Sequence, residues 1–351
     1  MEYSLFIRAL PVLYCMVSKY ADLSEEEMSE KAAEFGEMIR TMEQEIQKGY
    51  IGQEEVINQI LLTVVAGGNV LLEGVPGLGK SLLVEQLGRV VEGTEFNRIQ
   101  FTPDKLPSDI VGVEAYNEDK GFYVEKGPIF SNFILADEIN RAPPKVQSAM
   151  LEAMQEHKVS IGDQTFHLPE PFFTLATQNP TEQGGTYPLP EAQIDRFLFK
   201  IYLDYPKKRN EQKIIDMNAN IMDDEDFDVG EVVTQQDVLD IQEFAKQVTV
   251  SQEIKEYIVD LVDCSRNPSD YGLEYGEFIE WGCTPRASIN LALAARAHAL
   301  YDKRHYVTPE DIRAIIEPVF IHRILLNYEG EAQGVEVQDI IKDIVETVPV
   351  R

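Results

Sequence analysis

The sequence predicts an α/β fold in which a parallel β-sheet is covered by helices and is followed by a small all-helical domain. Two observations support this prediction. Short apolar segments alternate with helical segments up to about residue 205, and beyond Pro206 the strand pattern disappears while helical spacing continues to the end of the chain. Strands that alternate with helices pair in parallel, so the first part is expected to form one sheet with helices on both faces.

Two helices are expected before the first strand. Residues 24–48 have Ser24 and Glu27 at the spacing of a capping box, followed by apolar side chains at helical intervals. The second helix is expected from Gln53 to Val65. Together with the alternating segments, these helices define a first domain over residues 24–205, and the helical domain is expected over 206–351.

The first 23 residues are predicted to be an extension of unknown role. The apolar run is interrupted by Arg8 and Pro11, and no small-residue cleavage site follows it, so neither a membrane span nor a secretory signal is expected. The segment either packs on the folded protein or is absent from the natural product. A chain that begins at Met28 is therefore expected to lose little activity.

The remaining elements are predicted from periodicity and turn residues. The sheet strands are expected at 70–72, 96–101, 133–136, 172–177 and 197–202. Insertions at 114–130 and 158–168 are expected to be β-hairpins. The later helices are expected at 234–247, 251–265, 284–302, 308–326 and 336–346, and the acidic stretch 222–228 is expected to be a solvated loop.

The composition restricts the function classes. The chain has 61 acidic and 31 basic residues in 351, a formal net charge of −30, so general binding to nucleic acid is disfavoured. A nucleotide that carries its own Mg²⁺ is not disfavoured. The three cysteines have no metal-ligand spacing and are interpreted as reduced thiols of a cytoplasmic protein.

Residues 74–81 read Gly-Val-Pro-Gly-Leu-Gly-Lys-Ser, between an apolar strand and a helix. Glycines let the backbone curl so that its N–H groups face a polyphosphate at a helix N-terminus. Lys80 would reach the β- and γ-phosphates and Ser81 would bind Mg²⁺. The alternative is a glycine-rich turn without function, but the flanking strand and helix favour a phosphate-binding loop. The predicted nucleotide-binding residues in and after this loop are Gly74, Val75, Pro76, Gly77, Leu78, Gly79, Lys80, Ser81 and Leu82.

Two further strands end in polar residues that suit phosphate chemistry. The apolar strand 133–136 is followed by Asp137 and Glu138. Asp137 would hold Mg²⁺ through its water shell, and Glu138 would polarise the attacking water. Asn179 follows the strand 172–177, where it either forms a turn with Pro180 or hydrogen-bonds the γ-phosphate or the lytic water.

Two arginines are candidates for neutralising phosphate charge. Arg196 precedes the last strand, and Arg286 lies in the first turn of a helix for which Thr284 is the expected N-cap. A cation there faces the positive end of the helix dipole, which is unfavourable unless an anion is close. The alternative for both arginines is a surface salt bridge.

In their order, these motifs resemble those of the MoxR branch of the AAA+ ATPases. The resemblance covers residues 40–346 and includes Ile51-Gly52-Gln53, GVPGLGKS at 74–81, FILADEINRAPPKVQSAMLEAMQE at 133–156, ATQNP at 176–180, LPEAQIDRF at 189–197 and GCTPRA at 282–287. It implies an AAA+ P-loop core with a helical lid domain, assembled as a hexameric ring with ATP at the subunit interfaces.

The same resemblance implies roles for individual residues. Asn179 would be the sensor-1 residue, Arg196 the arginine finger and Arg286 the sensor-2 arginine. Ile51 and Gly52 would line the adenine pocket. The two hairpins would correspond to the helix-2 insert and the pre-sensor-1 hairpin.

The expected function is ATP hydrolysis coupled to remodelling or maturation of a separate protein, of the kind that carries a von Willebrand factor A domain. The chain itself contains no D-x-S-x-S metal-ion motif of that domain. One alternative is a nucleic-acid motor of the helicase type, which the net charge disfavours. Another is a non-hydrolysing nucleotide switch or scaffold, which Glu138 and Arg196 disfavour.

Overall fold

The computed structural model describes residues 18–75, 77–119, 121–179, 185–218 and 229–350. The helices are α1 Glu25–Gly49, α2 Glu54–Val65, α3 Lys80–Arg89, α4 Ser108–Val111, α5 Pro144–Glu156, α6 Glu191–Ile194, α7 Lys208–Asn218, α8 Gln235–Ala245, α9 Gln252–Arg266, α10 Pro268–Tyr271, α11 Pro285–Tyr301, α12 Pro309–Phe320, α13 Tyr328–Gln333 and α14 Val337–Thr347. The strands are β1 Val70–Gly74, β2 Val91–Glu92, β3 Phe96–Gln100, β4 Gly112–Asn117, β5 Gly121–Lys126, β6 Phe133–Asp137, β7 Lys158–Ile161, β8 Gln164–His167, β9 Phe173–Gln178, β10 Phe199–Leu203, β11 Val233–Thr234, β12 Ile279–Trp281 and β13 Leu325–Leu326. The predicted acidic loop at 222–228 and Pro76 lie outside the described residues.

Five strands form one parallel sheet in the order β10-β1-β9-β6-β3. Successive side chains of a strand point to opposite faces, and both faces are covered here. Leu72 belongs to the larger hydrophobic cluster on one face, and Leu71 belongs to a second cluster on the other. The predicted parallel sheet is confirmed. Since all five strands run the same way, the segments that follow β1, β9 and β6 meet at one edge.

Both predicted hairpins are present. β4 and β5 pair antiparallel through residues 112–126, and β7 and β8 pair antiparallel through residues 158–167. The first hairpin exposes four large apolar side chains, Val113, Tyr116, Phe122 and Tyr123.

Helix α1 joins the two parts of the molecule. It begins with the predicted capping box, in which the Ser24 hydroxyl accepts from the Glu27 amide and the Glu27 carboxylate accepts from the Ser24 amide. It packs on α2 and α3 and also on α11 of the lid. The contact of α1 with α11 also includes polar groups, since Arg40 pairs with Asp302 at 3.1 Å.

The description of residues 206–351 as all-helical is wrong in two places. β11 pairs with β2 of the first domain, and β12 pairs with β13 within the lid. The helix expected at 308–326 ends at Phe320, because the chain turns there and continues into β13. Strands of two or three residues are too short to show a period of two, so periodicity missed them.

The described end of the segment before Ser24 packs on the folded protein, which is one of the two alternatives expected for it. Tyr20 is 8% exposed and makes edge-to-face contacts with Phe35 of α1 and Phe244 of α8, at ring-centroid distances of 6.0 and 5.2 Å. The Ser18 hydroxyl bonds to a carboxylate of α8 at 2.9 Å. The described part of the extension is therefore packed between the first domain and the lid, and residues 1–17 lie outside the described ranges.

Within the described ranges, none of the helices combines the length and the apolar composition that a bilayer span requires.

Candidate functional site

The predicted phosphate-binding loop connects the end of β1 to the start of α3. Gly77 and Gly79 have φ angles of +87° and +73°, in the left-handed region that glycine adopts without steric cost. Gly79 is the N-cap of α3, and having no side chain it leaves the first N–H groups of the helix to a ligand. A Cβ at Gly79 would lie 3.1 Å from the ring of Tyr50, whose hydroxyl donates to the Leu78 carbonyl at 3.0 Å.

Lys80 lies over this loop and faces acidic groups. Its ammonium donates to the carbonyl oxygen of Gly74. Burial lowers the pKa of Lys80 below the usual lysine value, while the negative charges of Asp137 and Glu138 act in the opposite direction. The ammonium therefore lies between the loop and the acidic residues, where it can neutralise phosphate oxygens.

A cavity of about 300 Å³ adjoins the loop. It is lined by Gly49, Tyr50, Ile51, Gln53, Gly77, Leu78, Gly79, Leu82, Asp204, Pro206 and Ile214. The apolar lining with few polar groups suits the flat ring of a nucleotide base. Ile51 lines the cavity as expected, but Gly52 does not. Gly52 is buried with φ +81°, and a Cβ there would lie 2.7 Å from Asn210 of α7, so its role is to shape the turn into α2.

Asp137 ends β6, and both of its carboxylate oxygens are hydrogen-bonded. Oδ1 accepts from the Thr177 hydroxyl at 2.7 Å, and Oδ2 accepts from Arg98 at 2.5 Å. The Thr177 oxygen also accepts from the backbone amide of Glu138 at 2.8 Å. Thr177, on the neighbouring strand β9, thereby fixes the orientation of Asp137 and the turn into Glu138.

Glu138 adopts φ +57°, an uncommon backbone conformation for a residue other than glycine. Its Oε2 accepts from Gln100 at 2.9 Å and from Arg141 at 2.9 Å. Gln100 ends β3, so the carboxylate is held by a group from the adjacent strand as well as by its own turn.

Asn179 is buried one residue beyond β9. β9 lies between β1 and β6, and Gln178 pairs with Glu73 in register. Asn179 is therefore level with Gly74, between the phosphate-binding loop and Asp137. This position suits contact with a γ-phosphate or an attacking water.

Arg196 lies at the amino ends of the sheet strands, whereas this site lies at their carboxyl ends. In the parallel register of β1 with β10, Val70 pairs with Phe199 and Gly74 pairs with Leu203. The phosphate-binding loop follows Gly74, whereas Arg196 precedes Phe199. The length of β1 alone, from Val70 to Gly74, separates Arg196 from the phosphate-binding loop by about 13 Å.

Arg286 lies close to Arg196, beside the same cavity. Thr284 is the N-cap of α11, as predicted, and accepts from the Arg286 amide at 3.3 Å. The Arg286 guanidinium pairs with Asp195 at 3.3 Å. The two arginines border a cavity of about 670 Å³ between the sheet domain and the lid. It is lined by Glu191, Ala192, Asp195, Arg196, Trp281, Gly282, Thr284, Pro285, Arg286, His322, Arg323 and Leu325.

Comparison with known proteins agrees with this geometry. Residues 69–199 match the model of the ATPase family associated with various cellular activities (AAA), and residues 276–344 match that of the AAA lid domain. The chain is 43% identical over 315 residues to the chaperone MoxR1 of Mycobacterium tuberculosis, an alignment that spans 88% of this chain and 82% of that protein. This chain belongs to the MoxR family of AAA+ ATPases.

Two further relatives support the assignment. The MoxR protein of Methylorubrum extorquens is 30% identical over 329 residues, which cover 88% of this chain and 93% of that one. A crystal structure of a Cytophaga hutchinsonii protein described as a candidate ATPase superimposes with a TM-score of 0.86 at 47% identity, over 93% of this chain and 98% of that one. The fold of this MoxR-family ATPase is thus that of an AAA+ core with a helical lid.

The structure divides the predicted site residues into two groups. Lys80, Asp137, Glu138 and Asn179 meet at the carboxyl edge of the sheet, next to the phosphate-binding loop. Arg196 and Arg286 lie at the amino edge, so the MoxR-family subunit does not bring all of its predicted catalytic residues together.

Four side chains that hydrogen-bond Asp137 or Glu138 were not predicted from the sequence: Arg98, Gln100, Arg141 and Thr177. A signal was present for Gln100, because it ends a strand of the same parallel sheet, as Asp137 does. Thr177 is internal to an apolar strand, and Arg98 lies on a strand face, so only the pairing of β3, β6 and β9 reveals their contacts.

Proposed function

We propose that this MoxR-family ATPase works as a hexameric ring in the cytoplasm, in which Arg196 and Arg286 of one subunit complete the ATP site of the next. The observation that supports this proposal is the position of both arginines at the amino edge of the sheet, away from the Lys80 of their own chain. An arginine that acts on phosphate must reach it, so these two serve a nucleotide bound by another subunit.

At such a composite site, each group has a defined task in hydrolysis. The oxygen of a water attacks the γ-phosphorus, its proton passes to the Glu138 carboxylate, and the bond from the γ-phosphorus to the bridging oxygen of ADP breaks. Lys80 and the neighbour's arginines stabilise the negative charge on the phosphates, and Asn179 orients the water or the γ-phosphate.

The residues present also fit a Mg²⁺ ion. The Ser81 hydroxyl, in the first turn of α3, and the Asp137 carboxylate are oxygen ligands of the type that Mg²⁺ prefers. Bound there, the ion would neutralise charge on the β- and γ-phosphates. Arg98 now pairs with Asp137 and is 51% exposed, so its guanidinium can move aside towards solvent.

We further propose that the ATPase remodels or matures a separate protein with a von Willebrand factor A domain. The M. tuberculosis relative is named a chaperone. This chain also exposes an apolar hairpin surface, with Phe122 at 73% and Tyr116 at 64% exposure, which suits contact with a client polypeptide.

Capture of the client tests this function. A Glu138→Gln variant loaded with ATP should retain the partner, and the retained protein should contain a D-x-S-x-S motif. Lys80→Ala, which weakens nucleotide binding, is the matched control and should retain much less. Retention of nucleic acid, or of the same proteins by both variants, would contradict the proposal.

A further inference from the structure

Arg323 follows α12 in the lid, and its side chain is 0% exposed. A guanidinium has five N–H donors, and here they meet five acceptors. Nε donates to Asp195 Oδ1 at 2.8 Å, and Nη2 donates to the carbonyl oxygens of Asp195 at 2.9 Å and Phe197 at 2.6 Å. Nη1 donates to the carbonyls of Leu198, at 3.4 Å, and Val319.

Four of these five acceptors belong to the segment 195–198, which includes Arg196. Two other lid side chains reach the same segment, because Asn290 and His322 each lie 3.4 Å from the Phe197 carbonyl oxygen. The backbone on both sides of Arg196 is thus bound by the lid, while the Arg196 side chain itself is exposed in the cavity.

The same cluster also holds Arg286. The Asp195 carboxylate accepts from Arg323, from Arg286 and from the Thr284 hydroxyl, the last at 3.0 Å. Burial and the adjacent Arg323 charge hold the pKa of His322 well below its usual range, so this histidine is neutral and Asp195 balances the buried cation. Removal of one partner would leave the other charge uncompensated.

We propose that Arg323 is a positioning residue for the arginine finger: it binds the segment 195–198 to the lid and so sets where Arg196 and Arg286 stand relative to the neighbouring subunit's nucleotide. This inference rests on the proposed function. Arg323 already uses its N–H donors within its own subunit, so it offers none to that nucleotide. Its effect passes through the backbone of Arg196 and through Asp195.

The first test compares Arg323→Met with Arg304→Met. Arg304 is the matched control, because it is a lid arginine whose guanidinium pairs with Asp311 at 2.6 Å and does not contact segment 195–198. Arg323→Met should lower ATP turnover about a hundredfold, the loss expected when a reacting group is displaced by about 1 Å. Its affinity for ATP should match that of the unaltered protein. Equal losses of turnover in both variants would assign the effect to lid instability and overturn the proposal.

The second test uses mixed rings, which distinguish positioning from a general structural role. Arg323→Met subunits keep Glu138, and Glu138→Gln subunits keep a well-placed Arg196, so their mixture should regain turnover at interfaces that combine the two. A mixture of Arg323→Met with Arg196→Ala should regain none, because both lack a working finger. Recovery in the second mixture, or its absence in the first, would contradict the proposal.

Two further measurements keep the outcome clear. If Arg323→Met does not fold, Arg323→Lys replaces it, since lysine keeps the charge near Asp195 but cannot reach the three carbonyls of the segment at once. It should show the same complementation pattern with a smaller loss of turnover, and an unaltered turnover would overturn the proposal.

A mixture of Arg196→Ala with Glu138→Gln tests the proposed function alone. Recovery there without recovery for Arg323 variants would reject only the positioning role.

Discussion

At the scale of single residues, Glu138 illustrates how the carboxylate proposed to take the proton of the attacking water is held in place. It adopts a left-handed backbone conformation after β6, and one of its carboxylate oxygens accepts hydrogen bonds from Gln100 and Arg141. Both donors come from outside the strand that carries Glu138. A neutral side chain of the same shape can keep these contacts while losing its ability to take a proton.

We therefore expect Glu138→Gln to bind ATP normally and to lose turnover by about a hundredfold or more, the range for removal of a general base. Phosphate release and equilibrium nucleotide binding measure the two quantities. Lys80→Ala is the contrasting variant, because it should weaken nucleotide binding itself. Unchanged turnover in Glu138→Gln would remove this residue from the mechanism.

Gly79 provides a second prediction at this scale. Gly79→Ala should cost about 1–2 kcal/mol of stability through its positive φ and should also weaken ATP binding, because the new Cβ meets Tyr50 and shifts the start of α3. Gly67→Ala is the control, since its φ is +67° and no atom lies within 4 Å of the new Cβ. Thermal unfolding and nucleotide titration separate the two effects. Equal ATP affinities in both variants would refute the predicted role of the loop geometry.

At the scale of elements, the segment before α1 and the helix itself act as a connector. Tyr20 lies between Phe35 of α1 and α8, and Arg40, further along α1, pairs with Asp302 at the C-terminal end of α11. Aromatic side chains bury a large area, so Tyr20 adds apolar contact between the first domain and the lid.

Tyr20→Ala should accordingly lower the free energy of unfolding by about 2–4 kcal/mol, near the range for removal of a buried aromatic side chain. A chain that begins at Met28 should lose at least as much, because it lacks Tyr20 and also the Ser24 cap. Tyr328→Ala, at a side chain that is 86% exposed, should change stability by less than about 0.5 kcal/mol. Denaturant unfolding gives these values. A Met28 chain as stable as the full one would show that the Tyr20 contacts contribute nothing.

At the scale of the whole molecule, the subunit places its predicted site residues in two groups, at opposite ends of the strands of one sheet. The carboxyl edge carries the phosphate-binding loop and the acids, and the amino edge carries the two arginines. Closed assembly of identical subunits can join such unlike edges repeatedly around a ring.

Mixing of inactive variants measures whether the arginines act between subunits. Arg196→Ala and Glu138→Gln should each be inactive alone, and their mixture should regain part of the ATPase activity, because each keeps the group that the other lacks. A mixture of Arg196→Ala with Lys80→Ala is expected to behave in the same way. Failure to recover over a range of mixing ratios would count against action in trans.

The charge of the whole chain leads to a further expectation. With a formal net charge of −30, the subunit repels phosphate backbones, and DNA or RNA should not stimulate ATP turnover at physiological salt. The ATPase rate with and without single-stranded and duplex nucleic acid measures this. A several-fold increase would instead favour the helicase alternative.

The sequence by itself determined the features that are local in the chain. A strand, a glycine-rich loop and a helix follow one another at 70–89, and their periodicity and turn residues are visible without any other part of the protein. The same holds for the capping box of α1 and for the polar residues that end β6 and β9. These features depend on backbone conformation over a few residues, which side-chain type controls directly.

Only the tertiary structure decided which of these features meet. The contacts of Gln100 with Glu138, and of Thr177 with Asp137, depend on the strand order of the sheet. The contact of Arg323 with Asp195 joins residues 128 positions apart. The physical reason is that packing between elements is set by how whole hydrophobic faces are buried, and no short-range spacing records that arrangement.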